Sequence, residues 1–518
     1  MPRSKYNNIR TIAPDDKELF VIRKDYSGGQ NNRIFGTNIG DNQATVLINV
    51  DISVPGQRIK RRGTDLIEDL GNNPGTEIFG FEPDGGTNLL VATEGSNLKT
   101  WPATGSFTTR KSDFTSGLQT SIIKIGESGL GDVFVVGNGT DNWFRFDPAN
   151  LSSPQDLGNT NTSPPLSTVS IYYRNRWWIL KSNNLYWADA FDDDYSGAFD
   201  RTTNFYRIPV GTERALIGIR DLGIIVIGHD QIWGINPSIT PAATDLPEKI
   251  TEIGCVANKT AVQVADDVYY LASDGVRGAF RTQQDKLQLG SSYPISYSLK
   301  EEYESLSWAY IEKACAIFFD NKYLLAVPVD ASTFNNEVWV YNVASQGWVI
   351  YTGWNVASWA TMDVNGKQLL YYIDSNDGKV YQALTGFDDN DVAINYTEES
   401  RKEDMGQPLV KKTGGTLKVK ALSAGDYDID VYASIDDQEY TSLGVLSLVG
   451  DAPVLPVSLP FNLGNAAQVE GSFSLDGLGE WYQIRVKLEQ NTTTGSDDVI
   501  IYEWNITTYA NAYQSITD

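Results

Sequence analysis

Ile224-Ile225-Val226-Ile227-Gly228-His229-Asp230-Gln231-Ile232-Trp233-Gly234-Ile235 is an apolar run, a short polar turn and a second apolar run. It reads as a β-hairpin, and the same unit recurs along the chain. Leu89–Thr93 turns at Asn97 into Leu98–Trp101, and Val133–Val136 turns at Asp141 into Trp143–Phe146. Arg176–Leu180 turns at Asn183 into Leu185–Trp187, and Val268–Leu271 turns at Asp274 into Val276–Phe280. Tyr323–Val327 leads through a longer loop with Asn336 to Val338–Tyr341, and Leu369–Ile373 turns at Asp377 into Val380–Tyr381. The turn residues are 44, 42, 47, 44, 62 and 41 positions apart. The wide gap contains Ser298–Leu306, which reads as a short inserted helix.

Each hairpin has an apolar strand upstream, such as Ile78–Phe81, Ser121–Ile125, Ser170–Tyr173, Leu216–Ile219, Ala261–Val264 and Ala316–Phe319. A weaker fourth strand often follows, as in Phe205–Val210 and Gly347–Tyr351. Four strands every ~40–45 residues is the period of a β-propeller blade. A single such sheet cannot cover both of its faces; closing several into a ring buries them and leaves short, protected edges. The expected fold is therefore all-β: a propeller of about seven blades over 76–386.

The flanks carry a different pattern. Residues 1–75 lack the hairpin unit and read as an extended arm with strand elements. Residues 387–413 are polar and charged, the pattern of a linker. From 414 to 518, Thr416–Lys420, Tyr427–Tyr432, Trp481–Leu488 and Val499–Trp504 alternate apolar and polar residues, which predicts a small β-sandwich.

The chain has 518 residues, a length that suggests about three domains. Its formal net charge is −25, which disfavours binding nucleic acid through phosphate neutralisation. No run approaches the ~18 apolar residues of a membrane span, and Met1–Asn8 lacks the apolar core of a secretory signal. One histidine, His229, and two distant cysteines, Cys255 and Cys315, leave little material for a zinc site or a Ser-His-Asp triad. The cysteines read as reduced and buried, and His229 as a polar hairpin residue.

Other candidates read as turns. Gly126-Glu127-Ser128-Gly129-Leu130-Gly131 has no following helix to make it a phosphate cradle. Asp192-Asp193-Asp194 with Asp200, and Asp388, Asp389 and Asp391, are acidic clusters of the kind found in solvated turns. Asp374-Ser375-Asn376-Asp377-Gly378 starts like a calcium loop, but the closing Glu is replaced by Thr385. The seven Asn-x-Ser/Thr sequons, at Asn138, Asn150, Asn161, Asn258, Asn395, Asn491 and Asn505, fit Asn/Thr-rich turns. No residues stand out as catalytic, metal-ligating or cofactor-binding. The one basic knot, Arg58 with Lys60, Arg61 and Arg62, reads either as a solvated strand end or as a contact with an acidic neighbouring subunit.

The arm resembles the opening of tailed-phage virion proteins, carried by an aromatic-x-Gly-Gly-x-Asn element, here Tyr26-Ser27-Gly28-Gly29-Gln30-Asn31. Asp41-Asn42-Gln43-Ala44 follows, leading to Asn49-Val50, and the arm closes with Gly56 and Lys60-Arg61-Arg62-Gly63. A propeller and then a sandwich with Ser434-Ile435-Asp436 and Tyr482-Gln483-Ile484-Arg485 complete an order that looks like the tail nozzle (tail tubular protein B) and packaged-DNA stabilisation proteins of short-tailed phages. The chain departs from that pattern at Gln30, where Leu is common, and carries no large inserted tip domain.

The resemblance implies a structural virion protein, made in the host cytoplasm and residing in the tail. It would form a ring, usually a homohexamer, below the portal and adaptor and beside other tail proteins. The ring would help retain and release the genome, with DNA sliding past an acidic lumen without specific binding. It implies no enzymatic activity and no cofactor. Two other readings are a receptor-binding or decoration protein with a glycan-binding surface, and a polysaccharide hydrolase built on paired carboxylates.

Overall fold

The chain is described here by a computed structural model that covers residues 18–510, apart from 72, 130, 191, 193, 221, 243, 290, 291, 423–426, 450–467 and 493–497. The first residues of the arm, Leu130 of the glycine-rich loop and Asp193 of the acidic cluster lie outside the described residues.

All seven hairpins form. Six sheets of three or four strands stand by themselves, and the seventh unit is the first four strands of a nine-stranded sheet. Blade 1 spans Gly75–Phe81 to Thr108–Lys111, blade 2 Ser121–Glu127 to Gln155–Asp156, and blade 3 Ser170–Tyr173 to Phe205–Arg207. Blade 4 spans Glu213–Ile219 to Glu248–Thr251, and blade 5 Val262–Val264 to Gly275–Gly278. Blade 6 spans Cys315–Phe319 to Gly347–Thr352, and blade 7 starts at Val356–Val364. The first strand of each blade packs on the first strand of the next, and Val356–Val364 returns to Gly75–Phe81, so the ring is closed.

Local chemistry sets the hairpins. At Arg174-Asn175, Ser182-Asn183 and Asp320-Asn321 two successive residues have positive φ. That conformation matches the right-handed twist of paired strands and is tolerated best by Asn, Asp and Gly. The second strands read as unbroken apolar runs because neighbouring blades cover both their faces: Leu89–Glu94, Gly223–Gly228 and Lys322–Val327 are buried throughout.

Three features depart from the sequence reading. First, Ala279-Phe280 does not extend a strand. It begins helix α1 (Ala279–Leu289), which follows blade 5 where the other blades have a fourth strand. Asp267, at the start of the preceding hairpin strand, accepts the Phe280 and Arg281 N–H groups (2.9 and 3.1 Å) and so caps the helix from another element. The expected insert is the shorter helix α2 (Lys300–Glu304).

Second, the arm is woven into both domains. Its strand Gly63–Asp69 is the outermost strand of blade 7, beside Lys379–Thr385. Val46–Ile48 pairs in parallel with blade 6 at Ile350 and antiparallel with Tyr396–Glu399. Glu18–Arg23 and Arg58–Lys60 both pair with Ile500–Ala510.

Third, residues 387–413 are not a free linker. Tyr396–Glu399 is an internal strand of the nine-stranded sheet, and Glu398, Ser400, Lys402 and Glu403 are buried. Polarity suggested a solvated connection; these polar groups instead meet partners on the arm. Blade 6 thus continues through the arm strand into Ile484–Gln490, Asp428–Ile435 and Thr441–Ser447, one layer of the sandwich. The second layer centres on Ile500–Ala510 and Lys412–Leu422. A single apolar cluster runs from Leu324 and Val340 in blade 6 to Val431, Leu488 and Trp504 between the layers.

Ring closure leaves no room at Gly80. A Cβ there would lie 1.8 Å from the Thr361 carbonyl oxygen of blade 7. Gly80→Ala is expected to cost at least about 3 kcal/mol, because backbone must shift on both sides of the closure; denaturant unfolding measures it.

Candidate functional site: the arm junction and the propeller axis

The residues singled out in the arm converge on one junction. A Cβ on Gly29, whose φ is +73°, would meet the Trp348 backbone nitrogen at 2.3 Å, so only glycine lets the arm lie against blade 6. Gln30 N–H donates to the Trp348 carbonyl (2.8 Å), and the Gln30 side-chain oxygen accepts Leu47 N–H (2.7 Å). Asn32 caps α2 across 268 residues: its Oδ1 accepts the Lys300 and Glu301 N–H groups (2.8 and 3.1 Å). Glu302 reciprocates, accepting from Asn32 Nδ2 (2.8 Å) and from Gln30 Nε2. Asn32, from a distant segment, thus serves the first N–H groups of α2 as an N-cap side chain would. The polar Gln30 side chain serves both ends of this contact, accepting Leu47 N–H and donating to Glu302.

Asn49 is the pivot where the arm crosses from one sandwich layer to the other. Its φ is +57°. Nδ2 donates to Asn395 O (2.6 Å) and Thr352 Oγ1 (2.9 Å), while Oδ1 accepts from Arg61 Nε (2.7 Å) and Thr352 N (2.9 Å). A buried amide with every valence met is stabilising, whereas a partly met one is costly.

Three of the four cations of the basic knot, expected at a solvated strand end or a subunit contact, are turned into the chain's own interior. Arg58, Lys60 and Arg61 are 0%, 4% and 2% exposed, and their partners lie within the chain. Arg58 Nε donates to Glu398 Oε2 (2.8 Å), which also accepts from Tyr396 OH (2.6 Å). Lys60 Nζ reaches Thr492 O (3.1 Å) and Gln490 Oε1; burial pulls its pKa down to about 8. Arg61 lies over the Trp354 ring and spends its other donors on Asp389 (2.7 and 2.9 Å), Thr352 O (2.6 Å) and Arg62 O (3.0 Å). Arg62 is the exposed member, paired with Asp498 at 2.8 Å. A strand bearing alternate cations at the seam of two layers must bury some of them, and buried cations need paired carboxylates.

In the sequence Asp389 reads as a solvated turn acid, and Glu398 and Glu403 do not stand out. Asp389, Glu398 and Glu403 (bidentate to Arg23 at 2.6 and 2.7 Å) lie 328–380 residues from their partners. The only local hint was the acidic tone of 387–407.

The remaining acids do local work. Asp192 accepts the Asp194 and Tyr195 N–H groups, Asp194 those of Ser196, and Asp200 that of Thr202. Asp374 closes its own turn by accepting Asn376 N–H (2.7 Å). The Gly126 carbonyl accepts the Tyr172 and Tyr195 hydroxyls. Cys255 and Cys315 are buried free thiols, and His229 Nδ1 lies 2.6 Å from Asp230. Among the described residues no three His, Cys, Asp or Glu side chains gather as they would around a metal ion, and no helix is long and apolar enough to cross a membrane.

The propeller axis holds a cavity of about 500 Å³ lined by Glu77, Gln119, Ser121, Ser170, Arg214 and Lys259 among others. Side chains reach across it. Gln119 of the segment before blade 2 and Asn258 of the segment before blade 5 exchange two hydrogen bonds (3.0 and 2.6 Å). Lys259 pairs with Glu77 of blade 1 and donates to Thr76 O (2.7 Å). These pairs brace the ring from inside, and the axis is a strut more than a conduit.

No protein-family model matches the chain, and no curated protein matches it. Among solved structures it is similar to BBS1N in complex with ARL6DN, in lead-soaked crystals, with 14% identity and a TM-score of 0.39 over 62% of this chain and 96% of that one. The mercury-soaked form gives 13% identity and 0.37 over the same shares. PorZ, a surface component of the type-IX secretion system of Porphyromonas gingivalis, gives 11% identity and 0.35 over 68% of this chain and 44% of that one. The propeller assignment rests on the strand order and ring contacts.

Two outcomes follow from the buried charges. Arg58→Met strands Glu398 and is expected to cost about 3–5 kcal/mol, most of it recovered in Arg58→Met/Glu398→Leu; a double-mutant cycle of unfolding free energies tests this. Glu337, at the start of the third strand of blade 6, is raised to about 7 by burial, with nearby Glu302 adding to the shift. Its folded value exceeds its unfolded one, so the folded state loses stability as pH rises between about 4.5 and 7. Glu337→Gln keeps an acceptor for Trp339 Nε1 (2.8 Å). It is expected to stabilise the protein above pH 7 by up to about 3 kcal/mol, with the gain vanishing below about pH 4.5; melts across pH read it.

Proposed function

We propose that this chain is a structural component of a tailed-phage virion, a nozzle-type ring subunit that prolongs the DNA channel below the portal and adaptor. It works as a shaped block and catalyses no reaction. The observation that supports this reading is the convergence of the resembling residues on one junction. Tyr26–Asn31, Asp41–Ala44 and Lys60–Gly63 come from three stretches of the arm. Together they hold the arm against both domains: Gly29 lies on Trp348 of blade 6, Ala44 N–H donates to the Gly29 carbonyl within the arm (3.1 Å), Lys60 N–H donates to Val499 O of the sandwich (2.9 Å), and Arg61 pairs with Asp389. Motifs spent on joining domains suit a part whose task is to hold shape under load.

The charge is in keeping with that task. A ring of −25 subunits repels phosphates, so DNA passes without sticking. Because side chains bridge the propeller axis, the DNA path in such a ring would run between subunits and not through the blades.

Electron cryo-microscopy of virions made with and without the gene tests this. The expected result is a ring of copies, sixfold in the simplest case, below the adaptor, and particles without it that lose packaged DNA. DNA-filled particles in its absence would overturn the proposal. So would polysaccharide cleavage by the pure chain that one Asp or Glu substitution abolishes.

A further inference from the structure

Three of the four cations expected to meet a neighbouring subunit, Arg58, Lys60 and Arg61, are buried, so a ring needs a further contact. A cleft of about 450 Å³ lies where the arm, α1 and the segment 292–298 meet. Its rim carries large apolar and aromatic groups left in solvent: Ile34 is 45% exposed, Tyr293 66% and Tyr297 42%, and Phe35 beside them is 62%. The two tyrosine rings lie 4.9 Å apart, and the Arg33 guanidinium stacks 3.9 Å from the centroid of Tyr297. Arg33 and the exposed Arg281 of α1 give this lining two cations against one carboxylate, Asp285. The cleft is a cationic, aromatic site in a chain of net charge −25.

We infer that this cleft docks a second copy of the same chain, through an acidic surface elsewhere on that copy. Tyrosine and arginine around an apolar centre make up the usual composition of an interface core. Charge selects the occupant: the surface of another copy is predominantly acidic, and steering toward Arg33 and Arg281 follows. Charge also selects the geometry. Two such clefts facing each other across a two-fold axis would oppose like charges. The contact is therefore heterologous, cleft to a different surface, and repeats into a closed ring or a filament. This rests on the ring reading above and adds to it the contact surface and its polarity.

Sedimentation velocity of the full chain up to about 100 μM, at low and high salt, tests the contact. The expected result is concentration-dependent association beyond a dimer, weaker in salt. Ile34→Asp and Tyr293→Asp, both at exposed positions, should weaken it at least about tenfold without changing the melting temperature. A chain that stays monomeric throughout, a discrete two-fold dimer, or variants that associate like the wild type would each overturn the inference. So would a glycan array on which wild type binds and Tyr293→Asp does not, since the cleft would then hold a saccharide. If the variants lose association while particles lacking the protein keep their DNA, the contact stands and the virion reading falls.

Discussion

One strand pairing carries the architecture. Val46–Ile48 lies parallel to the last strand of blade 6 at Ile350 and antiparallel to Tyr396–Glu399, so it turns a four-stranded blade into a nine-stranded sheet. Without it the propeller would end in an open edge, and the sandwich layer that begins at Tyr396–Glu399 would have another. With it, both edges are satisfied at once and one apolar cluster spans the two domains. Parallel pairing needs the strands brought together from far apart in sequence. Here the chain between them makes nearly the whole ring.

The same arm closes the ring. Gly63–Asp69 supplies the outer strand of blade 7, so that blade is built from both ends of the propeller segment. Opening it requires breaking a strand pairing as well as an apolar interface. The side chains that bridge the axis, Lys259 to Glu77 and Gln119 to Asn258, add ties between opposite sides of the ring.

The charges within the junction act through geometry more than through net stability. A buried ion pair such as Arg58–Glu398 gains little over a well-packed apolar pair, but it penalises every misaligned register by leaving a charge unpaired. Arg61, Asn49 and Asp389 serve the same end, since each hydrogen bond specifies where the arm crosses between layers. The buried cations Arg58, Lys60 and Arg61 thus specify how the chain's own domains fit together. One group of apolar, aromatic and cationic side chains left in solvent lies instead around Arg33, Tyr293 and Tyr297.

The sequence by itself determined the repeating unit. The hairpin period depends on apolar alternation and on Asn or Asp at the tips, both local properties. Ser182-Asn183 and Asp320-Asn321 adopt the positive φ that their turns require whatever surrounds them. Helix α1 escaped a local reading because its N-terminal cap, Asp267, belongs to another element. Only the tertiary structure decided the fate of the polar residues. Whether Arg58 is solvated or buried depends on Glu398, 340 residues away, and the polar stretch 387–407 reads as a linker until the arm lies against it. Period and turn chemistry are written within a few residues, whereas burial of charge is settled by which distant partner arrives, and no short stretch of sequence carries that information.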